Sequence, residues 1–214
     1  MTEEKKNEVF EEIYRNYMSE VAELDFAALA DRIGVEGTPG GIVVPFFGRP
    51  FRITRDGIEG PDGAEPVHAE KVTLCKYLLM YPEERPEEDD SFVSYKDFKD
   101  AAPFVGGFKT NAEIPVALDF TGRLDRLREA CDALGATTPE SELNYDLTAR
   151  FEALPEVPVV LLFNDEDEEF PALALMLFER RAEKYLDMEC LAIIGWRLAD
   201  YLAAKAGIRG ETIM

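Results

Sequence analysis

Five carboxylates crowd one turn-sized stretch of this chain: Asp165, Glu166, Asp167, Glu168 and Glu169, inside the segment Asn164 to Pro171. Hard cations such as Ca²⁺ and Mg²⁺ take oxygen ligands held around one point, and a loop of this composition supplies them. Asp165, Asp167 and Glu169 are therefore the candidate ligands of a divalent metal. The spacing of an EF-hand, with its central glycine, is absent. Two other uses compete. The acids stand in solvent, with one capping the following helix, where the helix dipole favours a carboxylate. Or a carboxylate of the loop serves a ligand that is not a metal.

The remaining reactive residue types are sparse. His68 is the only histidine, so sites needing two or three histidines from one chain are excluded, and no G-x-S-x-G accompanies it for a serine triad. The phosphate-cradling glycine fingerprints G-x-G-x-x-G and G-x-x-x-x-G-K-[ST] are also absent. Arg49, with Arg52 and Arg55 nearby, is either an anion clamp that focuses an anionic ligand or a partner of nearby acids across strands. Tyr185 and Glu189, four apart on an expected helix, either face the acidic loop or serve as core and cap. Cys75, Cys131 and Cys190 are widely spaced in apolar contexts, which reads as buried free thiols of a reducing compartment. Gly106-Gly107, between Phe104 and Phe108, reads as a tight turn.

Charge sets the outer bounds. The net charge is −21 over 214 residues. Such a surface repels phosphate backbones and anionic headgroups, so no nucleic-acid or membrane-surface role is expected. No apolar stretch approaches the roughly 18 residues of a membrane span. The opening Met1 to Lys6 lacks the basic-then-apolar pattern of a signal segment. Together these give an expectation of a cytoplasmic protein. Two segments, 82–90 and 165–169, hold eleven acids against one base. The first is proline-bounded and reads as a solvated loop.

The elements that must position these residues follow from periodicity. Residues 8–31 carry Phe10, Ile13, Tyr14, Tyr17, Met18, Val21 and Leu24 at helical spacing, with Asp25 as the cap of a second short helix ending at Gly34. Residues 41–59 form a β-meander with turns at Gly48-Arg49-Pro50 and Asp56-Gly57. Residues 66–81 form an apolar helix stopped by Pro82. Residues 91–98 hold a short strand or turn, 110–117 start a helix, and 121–134 form an amphipathic helix ending at Gly135. Tyr145 to Phe151 alternate as a half-buried strand. Val159 to Phe163 form a continuous apolar strand, central and covered on both faces. Phe170 to Phe178 and Tyr185 to Lys205 read as two packed helices. Strands clustered in hairpins rather than alternating with helices give an α+β fold with an antiparallel sheet packed against several helices, in one domain spanning residues 1–214.

The pattern resembles a known family. It runs through Pro45 to Arg49, Lys76 to Leu79, Phe104 to Lys109 and Pro155 to Phe163, then Asp167 to Ala172, Leu177 to Glu179, Tyr185-Leu186 and Glu189. It is similar to a prokaryotic domain-of-unknown-function family common in anaerobic bacteria and archaea. Some members are labelled metal-binding and some are fused to iron–sulfur segments. The resemblance implies a single domain and a metal or metallocofactor partner in anaerobic metabolism. The family commonly has His where this chain has Lys76, and this chain has no cysteine cluster.

These readings converge on a non-catalytic binding or accessory protein. Its ligand site is expected between the Asn164–Pro171 loop, Tyr185–Glu189 and the Gly48-Arg49 turn. Asp167 and Glu169 would be the polar groups, Phe170 and Tyr185 the apolar walls, with Arg49 and Glu189 completing the set. The alternatives are a small carboxylate-dependent enzyme, with or without a divalent metal, and an acidic module that docks a basic protein partner.

Overall fold

The computed structural model describes residues 3–87, 91–139 and 144–210. Helix α1 (Glu3–Val21) is followed by α2 (Phe26–Ile33), and the break falls at Asp25 as its side chain requires. Asp25 Oδ1 accepts hydrogen bonds from the N–H groups of Ala27 and Ala28 at 3.1 Å. These satisfy two of the donors that every helix start leaves open.

The first sheet is an antiparallel meander of β1 (Gly37–Thr38), β2 (Gly41–Phe46), β3 (Arg49–Thr54) and β4 (Gly57–Glu59). Its β2–β3 hairpin turns on Phe47-Gly48, both at positive φ (49° and 71°), one residue earlier than the sequence suggests. Arg49 and Pro50 are paired strand residues, opposite Phe46 and Pro45. Two consecutive left-handed residues match the right-handed twist of the flanking strands, which fixes the turn there.

Helix α3 (His68–Met80) leads into the acidic connection, of which residues 88–90 lie outside the described residues. Strand β5 (Phe92–Ser94) follows. Then come α4 (Val105–Phe108), a single π-helical turn (Lys109–Glu113), α5 (Ile114–Phe120) and α6 (Leu124–Ala133). Gly106-Gly107 is thus helix rather than a tight turn. The helical conformation is held by packing: Phe108 stacks on Tyr95 with centroids 4.3 Å apart. It also lies so close to helix α7 (Met188–Lys205) that a Cβ on Gly195 would meet its ring at 2.4 Å.

The second sheet has the order β5-β8-β7-β6, with β6 (Leu147–Leu154), β7 (Val157–Asn164) and β8 (Leu173–Glu179), all antiparallel. Residues 173–178, expected as helix, are strand. Ala, Leu and Met favour helix locally, but Ala174, Met176 and Phe178 bury one face by alternation and every residue of β8 from 173 to 178 pairs with β7. Long-range pairing overrides propensity here. After β8 a 3-10 turn (Arg180–Lys184) precedes α7 (Met188–Lys205), so Tyr185 lies before the final helix and not in it. Asp187 caps α7 by accepting from the Cys190 N–H at 2.9 Å.

One core cluster takes side chains from both sheets, from α3 and from α7. Strand β7 lies between β6 and β8 and sends Val159, Leu161 and Phe163 into that core. Its other face carries Val160 opposite Leu177 and Leu162 opposite Leu175, and these four lie outside the core cluster. No helix among the described residues is long and apolar enough to cross a membrane.

Candidate functional site

The acidic loop leaves β7 and is stitched down by its own side chains. Asp165 Oδ1 accepts from the N–H of Gly122 at 2.7 Å and of Glu166 at 2.9 Å. The Asp165 N–H donates to Asp146 Oδ2 at 2.8 Å, and Asn164 Oδ1 accepts from the Asp146 N–H at 3.1 Å. Asp167 Oδ1 accepts from the N–H groups of Glu169 and Phe170, both at 2.7 Å. Those two donors hold the Asp167 carboxyl below the usual carboxylate range. The loop is therefore anchored to the α5–α6 turn on one side and to the start of β6 on the other.

This anchoring occupies part of the oxygen set that the metal expectation calls on. Asp165 and Asp167 each commit an oxygen to backbone donors, and their carboxylates serve separate turns. Among the described residues, no three His, Cys, Asp or Glu side chains form a group that could hold a metal ion. Asp165, Asp167 and Glu169 thus stand along an exposed loop and do not converge.

The loop instead borders apolar surface. Phe170 is 66% exposed, Leu173 46%, Ile114 40% and Leu118 71%. These are four of the six large apolar side chains standing exposed among the described residues. They are spatially linked. Phe170 and Leu173 line one open dish of about 710 Å³ with Asp146, Asp165, Glu166 and Asp167. Leu173 and Ile114 line an adjoining groove of about 260 Å³ with Ala117, Leu175 and Glu113. Leu118 is one helical turn beyond Ile114 on the same face of α5. Inside the groove, Glu113 Oε1 accepts from the Met176 N–H at 3.2 Å, and burial raises its carboxyl above the usual range. The outcome is an apolar strip whose dish end is rimmed by carboxylates and whose groove end carries Lys96 and Lys109 beside Glu113.

The other expected ligand residues lie elsewhere. Arg49 rests on the ring of Tyr201, 4.7 Å from its centroid, and within 4.0 Å of Glu70. Arg197 covers the same ring at 4.6 Å and donates to Glu70 Oε1 at 2.8 Å. Tyr201 also donates to Glu70 Oε1, while Glu70 Oε2 accepts from the Val67 N–H at 3.1 Å. Arg49 belongs to this buried network joining β3, α3 and α7. Glu189 is exposed on the first turn of α7 and lines a cavity of about 580 Å³ with Lys99, Asp100 and Glu183. Tyr185 is fully buried against Tyr81, and burial, then the charge of Glu156, pushes its hydroxyl up to about 12. Asp167 and Phe170 share a cavity, and Arg49, Tyr185 and Glu189 do not join it.

His68 stacks on Phe10 at 4.5 Å, and burial lowers its pKa. Lys76, at the position where histidine is common in the resembled family, is ion-paired with Asp187 at 3.2 Å and sits 4.9 Å from the Tyr17 ring. All three cysteines are buried and free.

The sequence profile of one family, described as a domain of unknown function (DUF3786), matches residues 25–201. The chain belongs to the DUF3786 family. No curated protein and no solved structure matches the chain. The DUF3786 match opens at Asp25, the cap of α2, and closes at Tyr201 in the Glu70 network, so it spans both sheets and the whole acidic-rimmed strip. Two elements of this DUF3786 chain escaped the sequence reading. Ile114 and Leu118 were legible only as a helix start, because an exposed apolar pair has the same spacing as a buried one. The Glu70–Arg197–Tyr201 network joins residues 131 apart in sequence and left no local signal.

Proposed function

We propose that this protein is a non-catalytic binding or accessory protein that docks a basic polypeptide partner on the acidic-rimmed apolar strip. The reading is carried by one observation: Phe170, Leu173, Ile114 and Leu118 are exposed together beside Asp146, Asp165, Glu166 and Asp167. Contiguous exposed apolar surface with a polar rim marks interaction sites. The carboxylates around the dish speed encounter with partners of the opposite charge. The fitting partner is a segment with Leu- or Phe-type anchors flanked by Lys or Arg. Because the loop is already fixed by Asp165 and Asp167, docking costs little ordering entropy.

Among the described residues, the loop carboxylates join no group of three that could hold a metal ion. The part in anaerobic metallocofactor metabolism that the family resemblance implies is therefore proposed to reach this chain through its docked partner. A cytoplasmic setting accords with three buried, free thiols.

Panning a phage-displayed random peptide library against the protein tests the reading. The expected consensus pairs large apolar residues with Lys or Arg. Affinity for the selected peptides should fall with added salt. It should also fall at least about tenfold in Leu118→Asp and Phe170→Asp. Selection of no consensus, or of peptides indifferent to both variants, would refute it.

A further inference from the structure

At the opposite end of β8 from Leu173, the second sheet carries a different kind of site. A cavity of about 340 Å³ is lined by Arg85, Arg150 and Arg181, by Glu152, Glu156 and Glu179, and by Phe92 and Pro158. The cross-strand register places these groups. Arg150 stands beside Val160, Glu152 opposite Pro158, and Phe92 opposite Glu179.

The cavity has a floor and a rim. Arg181 forms the floor with Glu179 and Glu156, ion-paired to both, and lies 3.0 Å from Glu156 Oε2. Arg85 reaches the other Glu156 oxygen at 2.7 Å, and Arg150 lies 3.4 Å from Glu152. The side chains of Arg85, Arg150 and Glu152 are 60%, 40% and 48% exposed, so the rim meets solvent.

Two observations say that this is more than a surface ion-pair network. Close by in the fold, at Tyr185 just after the Arg180–Lys184 turn, the hydroxyl is fully buried and has no hydrogen-bond partner among the described residues. It lies within electrostatic reach of Glu156, Arg181 and Arg85, which line the cavity. Buried hydroxyls are nearly always satisfied, and an orphan marks a missing partner. In addition, Glu156 holds a left-handed φ of 65°, and its turn is clamped by the Tyr77 hydroxyl donating to the Pro155 carbonyl at 2.9 Å. A non-glycine residue kept in that region is held there by its surroundings, here at the cavity itself.

The charge pattern selects the ligand. Three guanidinium groups alternate with three carboxylates. A lone anion entering the cavity would meet three carboxylates, and a lone cation three guanidinium groups. A molecule carrying both charges a few bonds apart meets complementary groups on each side. Guanidinium groups bind carboxylates bidentately, which suits Arg85 and Arg150. Phe92 and Pro158 give an apolar wall for a side chain. The volume lies at the small end of ligand sites. We propose that this cavity binds a small zwitterion of the α-amino acid class. Its carboxylate faces the Arg85 and Arg150 guanidinium groups, and its ammonium faces Glu152 and Glu156.

Isothermal titration calorimetry on the full chain tests this with each common L-amino acid, and with acetate and ethylammonium as single-charge controls. At least one amino acid should bind and neither control should. Arg150→Gln and Glu152→Gln should each weaken binding at least about tenfold while leaving the thermal midpoint unchanged, since both residues are on the rim. Amide chemical shifts of the unmodified protein should move at residues 150–158 on titration, a readout that needs no variant. No binding by any amino acid at roughly millimolar concentration would overturn the proposal. So would acetate binding as tightly as the amino acid, or binding that both variants leave untouched. None of these outcomes bears on the apolar strip at the other end of β8.

Discussion

Replacing Glu70 by alanine should be among the most damaging single changes in the molecule. Glu70 is buried on α3 and accepts from Arg197 Nη2 at 2.8 Å, from Tyr201 and, through Oε2, from the Val67 N–H at 3.1 Å. Arg49 adds a second cation at 4.0 Å. Removing the carboxylate leaves the buried Arg197 guanidinium without its 2.8 Å partner on α3, next to Asp200 at 3.2 Å on its own helix. Breaking a buried pair from one side costs about 3–5 kcal/mol. Loss of the cap at the start of α3 adds up to about 1 kcal/mol. A central value of about 4 kcal/mol in a chain of this size lowers the thermal midpoint by about 8–16 °C. Glu70→Gln keeps an acceptor and should lose less. Differential scanning calorimetry with urea titration gives both numbers. A loss below about 1 kcal/mol for Glu70→Ala would refute the idea that this network ties α3, β3 and α7 together.

Three further outcomes follow from other packing. Gly195→Ala places a methyl 2.4 Å from the Phe108 ring. It should cost about 1–3 kcal/mol in urea unfolding, with partial recovery when combined with Phe108→Leu. Burial raises the Glu113 carboxyl above its ordinary value of 4.5. The unfolded chain therefore ionises first as pH rises, and the stability this group contributes is present in acid and lost as pH climbs through the folded pKa. Glu113→Gln should raise the thermal midpoint near neutral pH, and the gain should vanish as pH falls below the ordinary carboxyl range. Burial pushes the thiols of Cys75 and Cys131 up to about 12, and that of Cys190 well above its usual value. A thiol reagent such as DTNB should leave the native protein nearly unlabelled and modify all three cysteines in denaturant.

What the sequence made legible depended on how local the cause was. Asp25 and Gly34 bracket α2 because a cap and a left-handed stop act within a few residues. The alternation from Tyr145 to Phe151 is visible because a half-buried strand writes its own period, and β6 (Leu147–Leu154) follows it. Residues 173–178 read as helix in the sequence because Ala, Leu and Met favour it, while the partner that makes them strand, β7, is an apolar run distant in sequence. The acidic loop was legible as a feature after a buried strand. Its role was not, because the donors that occupy Asp165 and Asp167 include the N–H of Gly122, 43 residues earlier. Arg49, Tyr185 and Glu189 scattered because no local pattern records which of three distant surroundings a side chain joins.

The central claim is that the strip of Ile114, Leu118, Phe170 and Leu173, with its acidic rim, receives a basic polypeptide. Hydrogen–deuterium exchange of the protein with and without a peptide selected by panning measures this most directly. Protection confined to 114–122 and 164–175, reversed by salt, is the predicted result. Protection elsewhere, with those two segments exchanging as in the free protein, would contradict it.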